Sequence, residues 1–361
     1  MTVHPATPPP APGGPPSGPA APPTHVGPPV PTADGTADAP DAPDAPDAPD
    51  APVDPWPAGV PWTAVTVFVV VACALAWLVA LPLWLGDGLA SPLTTLVAVA
   101  MMWTPAAAVA VVTLALRVPA RERLRALGVW PLRPAGRTLG FVALSVVGPI
   151  LLVAATTLVS GALGLVQLDL VTFSGFAAQL EDALPPGGVL PPVGALVALQ
   201  LVSIPVGALV NSVAALGEEV GWRGWLLPAL LPLGTWPALL VSGVVWGLWH
   251  SPLILLGYNF GRTDVTGVLL MIGGCVAWGV VLGWLRLRSG SLWPAVVGHG
   301  ALNAVGGLVL LLSAAGDAPD MAVVGPLGVV SWGVLAVVVG VLAVTGQLTR
   351  RPAPATAPTS V

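Results

Sequence analysis

The sequence predicts an all-α fold: a polytopic transmembrane helical bundle of about eight spans with both termini cytoplasmic. Three observations predict it. Of 361 residues, 55% are hydrophobic and 8% are charged, against about 25% charged in an ordinary soluble domain. Apolar runs of about 20 residues, enough for a helix to cross hydrocarbon, recur eight times after residue 60. Arginines and acids segregate onto alternate loops, as the positive-inside rule requires. This composition excludes a water-soluble enzyme, a nucleic-acid binder and a disulfide scaffold.

Residues 1–60 read as a disordered Pro/Ala/Asp-rich cytoplasmic tail. They contain a DAP repeat between Asp38 and Pro52 and seven aspartates, Asp34, Asp38, Asp41, Asp44, Asp47, Asp50 and Asp54. Such a segment cannot bury apolar surface. It has no charged region leading into an apolar one, so it does not read as a signal peptide. The transmembrane domain is expected over 61–348, with a short cytoplasmic tail over 349–361. The eight spans run approximately 62–85, 92–116, 138–162, 193–220, 236–257, 265–287, 291–313 and 325–346. The fourth could continue toward Leu233 past Pro228 and Pro232. The loop after the second span carries Arg117, Arg121, Arg123, Arg125, Arg133 and Arg137 against Glu122, which places it in the cytoplasm. Arg286, Arg288, Arg350 and Arg351 agree. Asp87, Asp169, Glu181, Asp182, Asp317 and Asp320 fall on the outer loops. Cys73 and Cys275 lie in apolar runs and read as small core residues.

Ionisable groups inside a span are expensive, so they are candidates for function. Three patches stand out. Glu218, Glu219 and Arg223 lie near the end of span four. On a helix Glu219 and Arg223 share a face and can pair. Glu218 lies about 100° round the helix, without that partner, and apolar surroundings suit it to proton transfer. Trp246 and His250 lie in span five. His299 and Asn303, four apart, share a face of span seven. Each patch alone could be structural: an ion pair, a histidine bonded to a carbonyl, polar glue between helices. Together they bring the membrane body's two histidines to an adjacent acid pair, which makes a hydrolytic site.

The three patches, in this order, resemble the CAAX-protease and bacteriocin-processing family of intramembrane endopeptidases. Two Glu, three residues and Arg match Glu218, Glu219 and Arg223. An aromatic followed by His matches Trp246 and His250, with Trp where Phe is usual. His, three residues and Asn match His299 and Asn303. Arg288-Ser-Gly-Ser-Leu-Trp-Pro-Ala, leading into His299, is also similar. The resemblance covers about 190–310, the expected protease-like core.

The resemblance implies hydrolysis of a peptide bond within a lipid bilayer, in a membrane-associated protein or peptide. In eukaryotic members the substrate is prenylated; bacterial members resemble peptide-maturation, immunity or membrane-protein processing factors, some acting without proteolysis. Glu218 and His250 would hold and deprotonate a water. His299 and Asn303 would donate to the oxyanion. Glu219 and Arg223 would orient Glu218 or a substrate carboxylate. The family is commonly labelled as metalloproteases. Glu218, His250 and His299 are acceptable ligands for one zinc ion, yet the same groups can act without metal, and both chemistries stay open here. Two rivals remain: a non-proteolytic immunity or scaffold protein of the same fold, and a proton-coupled transporter. The expected location is a bacterial cytoplasmic membrane. One mismatch needs resolving: His250 lies about 20 Å along span five and His299 about 12 Å along span seven at 1.5 Å per residue.

Overall fold

The structure is a computed structural model that describes residues 55–349 apart from 133, 186 and 187. The tail expected over 1–60 is therefore outside the described residues up to residue 54. So are Arg133 and residues 350–361, with Arg350 and Arg351. Every regular element among the described residues is helical. The one extended pairing is an isolated antiparallel bridge between Leu168 and Ser313. The all-α expectation is correct.

Seven helical segments among the described residues are long and apolar enough to cross a membrane. Six hold the spans called α1 (Trp62–Trp84), α2 (Thr94–Ala115), α3 (Ala135–Ala162), α4 (Val193–Glu219), α6 (Val265–Ser289) and α7 (Trp293–Val305); the seventh ends in α8 (Val329–Val344). Leu78, Leu96, Leu151, Val202 and Val337 stand at least 62% exposed on these helices. Such apolar surface is solvated by lipid, and the chain is a multi-pass integral membrane protein.

The expected count of eight long spans needs correcting at the fifth. Helix α5 (Thr235–Trp249) has only 15 residues, about 22 Å of helix against a hydrocarbon core of about 30 Å. The reason lies in Pro252. It has no N–H to offer the Leu248 carbonyl, and the Ser251 hydroxyl donates to that carbonyl instead, at 2.5 Å. The helix ends at Trp249, and after His250 the chain resumes in the short helix Ser251–Ile254. Helix α4, by contrast, runs on. It becomes π-helical over Val220–Leu226 and reaches Leu233 through Leu227–Leu230 and a 3-10 turn.

Small residues set which helices meet. Helix α7 packs chiefly on α4 and α3, and α5 packs on α6. Gly243 and Gly247, one turn apart on α5, lie against the backbone of α6. A Cβ on Gly247 would stand 2.4 Å from the Cα of Ile272, and one on Gly243 2.8 Å from the Cα of Val276. Gly300 performs the same service for α7: a Cβ there would stand 2.4 Å from the Ala208 carbonyl oxygen of α4. Close backbone approach of this kind is the usual basis of helix association in lipid.

Gly247→Ala should therefore destabilise the protein by about 1–3 kcal/mol through overpacking. Gly140→Ala, with nothing within 4 Å of the new Cβ, should leave it unchanged. Unfolding midpoints in mild detergent compare the two, and equal midpoints would contradict the packing argument.

Candidate active site

Helix α4 delivers two adjacent carboxylates into the protein interior, Glu218 at 2% and Glu219 at 0% exposure. Neither can be left uncompensated there. Each is met by the residue four positions on, supplied by the π-helical stretch. Arg223 Nη1 donates to Glu219 Oε1 at 2.8 Å. Trp222 Nε1 donates to Glu218 Oε2 at 3.1 Å. A π-turn inside an α-helix is often found at a functional site.

Two other helices complete the surroundings. Trp246, on α5, donates its indole N–H to Glu218 Oε2 at 2.6 Å. Neither indole uses Oε1. His299, on α7, places Nδ1 2.9 Å from Glu219 Oε1. That oxygen thus receives both Arg223 and His299, while Glu219 Oε2 is buried without a partner among the described residues. The Arg223 guanidinium lies over the Trp246 ring, 4.2 Å from its centroid, a favourable cation–π contact.

His250 ends α5 and its Nδ1 is 2.8 Å from the Trp246 carbonyl. A carbonyl only accepts, so Nδ1 carries the proton and Nε2 holds the lone pair in the neutral ring. Trp249 packs edge-on against His250 at 4.7 Å and is itself anchored by its indole bond to Thr104 Oγ1 at 3.0 Å.

Glu218, Trp246, His250, His299 and Asn303 line one cavity of about 450 Å³. The Trp246 ring neighbours both histidines. Its centroid lies 5.8 Å from His250 and 5.3 Å from His299. The apolar part of the wall includes Met101, Met102, Met271 and Met321, every methionine of the chain beyond Met1.

The structure brings together all four residues expected to be catalytic. Glu219 and Arg223 stand differently from the expectation. They are not among the residues lining the cavity, and Glu219 holds His299 rather than Glu218. Trp246 and Trp222 hold Glu218. The sequence reading missed Trp222, although its spacing from Glu218 equals that of Arg223 from Glu219. The zinc set of Glu218, His250 and His299 does not fit as placed. Among the described residues no group of three or more His, Cys, Asp or Glu side chains could hold an ion. Glu218 Oε2 is engaged by two indoles, and the Trp246 ring neighbours both histidines.

Chemically the cavity offers a carboxylate oxygen, an imidazole lone pair, a second imidazole and an amide, all within a multi-pass membrane protein. These are groups from which a hydrolytic site can be built. Residues 200–305 match the family described as type II CAAX prenyl endopeptidase Rce1-like. The protein "CAAX prenyl protease 2" of Methanococcus maripaludis is 28% identical over 96 residues, covering 25% of this chain and 35% of that protein. The chain thus matches about a third of the length of that curated relative. Residues 200–305 are thus similar to CAAX-type prenyl endopeptidases.

Arg223→Leu should cost about 3–5 kcal/mol, because it leaves the Glu219 carboxylate buried without its cation. Adding Glu219→Leu should recover part of that loss. A double-mutant cycle on unfolding midpoints checks this; strictly additive losses would show that the pair is not coupled.

Proposed function

We propose that the protein is an intramembrane endopeptidase that hydrolyses a peptide bond in a membrane-associated protein or peptide. The observation that carries this reading is the convergence of Glu218, His250, His299 and Asn303, from three helices, on one cavity. A water between Glu218 Oε1 and His250 Nε2 would lose its proton to this pair as its oxygen bonds to the scissile carbonyl carbon. As the C–N bond breaks, the same proton passes to the leaving nitrogen. His299 Nε2–H, with Nδ1–H held by Glu219, and the Asn303 amide donate to the oxyanion. Arg223 and Glu219 act behind His299 by fixing its ring. Trp246 fixes Glu218 with its indole and His250 with its carbonyl. The methionine-rich wall suits apolar side chains of differing shape.

The arginine-rich loop between α2 and α3 supports a cytoplasmic placement for that loop and both termini. This requires the chain from Thr235 to the turn after Ile254 to cross as well. A bacterial cytoplasmic membrane is the setting we infer.

Glu218→Gln should lower hydrolysis by about 10²–10⁴-fold, and Asn303→Ala by about 10²–10³-fold. A deletion strain complemented with wild type or with Glu218→Ala, at equal protein levels, offers the direct check. Its membrane peptidome should contain cleavage products only with wild type. Identical profiles would contradict proteolysis and favour a non-proteolytic role.

A further inference from the structure

A second recess, of about 1120 Å³, lies away from the candidate catalytic cavity. Its position follows from α6. Met271 of that helix lines the catalytic cavity and Arg286 lines the second recess, so the two are separated by about 22 Å of helix. The recess joins the loop after α2, the end of α6 and the run beyond α4. Its charged lining is Arg121, Arg123, Arg125 and Arg286 against Glu122.

Glu122 is already paired with Arg125, at 3.0 Å. Among the described residues of the wall, three arginines therefore remain without a counter-charge. Arg123 donates to the Thr113 carbonyl at 2.8 Å, which fixes the side chain and leaves its charge unneutralised. Arg121 is exposed and has no partner among the described residues. Arg286 is the most constrained. Its Nη2 donates to the Ala126 carbonyl at 3.2 Å, and its Nε is buried without a partner among the described residues. Gly128, at φ +75°, lies against this guanidinium; a Cβ there would stand 2.6 Å from Cζ. The backbone has closed onto the arginine.

Topology alone does not ask for this. The positive-inside rule needs arginines near a membrane end. It does not need an arginine from α6 to be clamped by a left-handed glycine among loop arginines around a recess. Converging planar guanidinium groups with spare donors recognise phosphate. The rim has the opposite character. Trp130 and Leu124 are 62% and 58% exposed, and Trp56 lines the same recess. Aromatic rings beside apolar side chains are the usual dress of a bilayer interface. The volume, about 1120 Å³, lies just above the range of small-molecule pockets, about 300–1,000 Å³, and is more than a lone ion needs.

We propose that this recess is a binding site for a phosphate-bearing anion, supplied either by the headgroup of an acidic phospholipid or by free phosphate. Bound there, the anion ties the loop after α2 to the end of α6 through Arg121, Arg123 and Arg286.

The full chain is purified in neutral detergent, and its unfolding midpoint is followed while phosphatidylglycerol or inorganic phosphate is titrated. Phosphatidylcholine serves as the zwitterionic reference. Phosphatidylglycerol should raise the midpoint of wild type in a saturable way. Arg121→Gln should weaken half-saturation about tenfold, the scale of one charge-assisted hydrogen bond, without changing the midpoint in phosphatidylcholine. Arg286→Lys, which keeps the charge and loses the planar fork, should weaken it as well. Arg262→Gln, at an exposed arginine paired with Asp320 elsewhere, should behave as wild type. If inorganic phosphate alone gives the saturable, Arg121-dependent shift, the site stands and its source is free phosphate. No shift with either anion would overturn the proposal. So would an equal loss in Arg262→Gln, since bulk charge would then explain the effect.

Discussion

Two neighbouring carboxylates on one helix, both withdrawn from solvent, set the terms for the whole interior. A buried carboxylate must be matched by donors or a cation, and adjacent ones cannot share a single partner. Glu219 Oε1 accepts from Arg223 and His299 at 2.8 and 2.9 Å. Glu218 Oε2 accepts from two indoles at 3.1 and 2.6 Å. The first carboxylate is tied into an ionic network. The second receives only neutral donors and keeps an oxygen that neither indole uses. Geometry thus separates two chemically identical side chains into a holder and a candidate reactant.

The fold supplies what this separation needs. Donors must come from α5 and α7, and those helices must lie close. Gly300 removes the Cβ that would keep α7 off α4, and Gly243 with Gly247 do so for α5 on α6. The π-helical turn after Glu219 brings Trp222 and Arg223 back over their partners. Trp246 then links everything. It bonds Glu218, lies beneath Arg223, accepts from His250 through its carbonyl and packs edge-on against His299. The aromatic position of the second motif is therefore a structural centre as much as a wall. Trp serves there where Phe could not, because only the indole carries an N–H.

The polar residues were legible because charge is so scarce in the spans. Glu218, Glu219, Arg223, His250, His299 and Asn303 stood out against an apolar background, and the i, i+4 rule paired Glu219 with Arg223 correctly. The rest depended on long-range packing. That His299 would find Glu219 rather than the cavity alone follows from how α7 seats on α4, across 80 residues of chain. The role of Trp246 required its rotamer, which no spacing reveals. The fifth span looked long enough because hydropathy does not register the break at His250, where Pro252 denies the Leu248 carbonyl an N–H. Trp222 was a missed signal of another kind, an i+4 donor read as part of the apolar background.

The roles proposed for the two carboxylates are that Glu218 reacts while Glu219 holds His299. The most direct measurement follows hydrolysis and unfolding together in purified Glu218→Gln and Glu219→Gln proteins. Glu218→Gln should keep the wild-type unfolding midpoint within a few degrees, on the order of the shift from a sub-kcal/mol change, and lose hydrolysis. Glu219→Gln should lose stability as well as activity, because Arg223 is then buried without its counter-charge. If Glu219→Gln keeps its stability while Glu218→Gln retains hydrolysis, the assigned roles are contradicted.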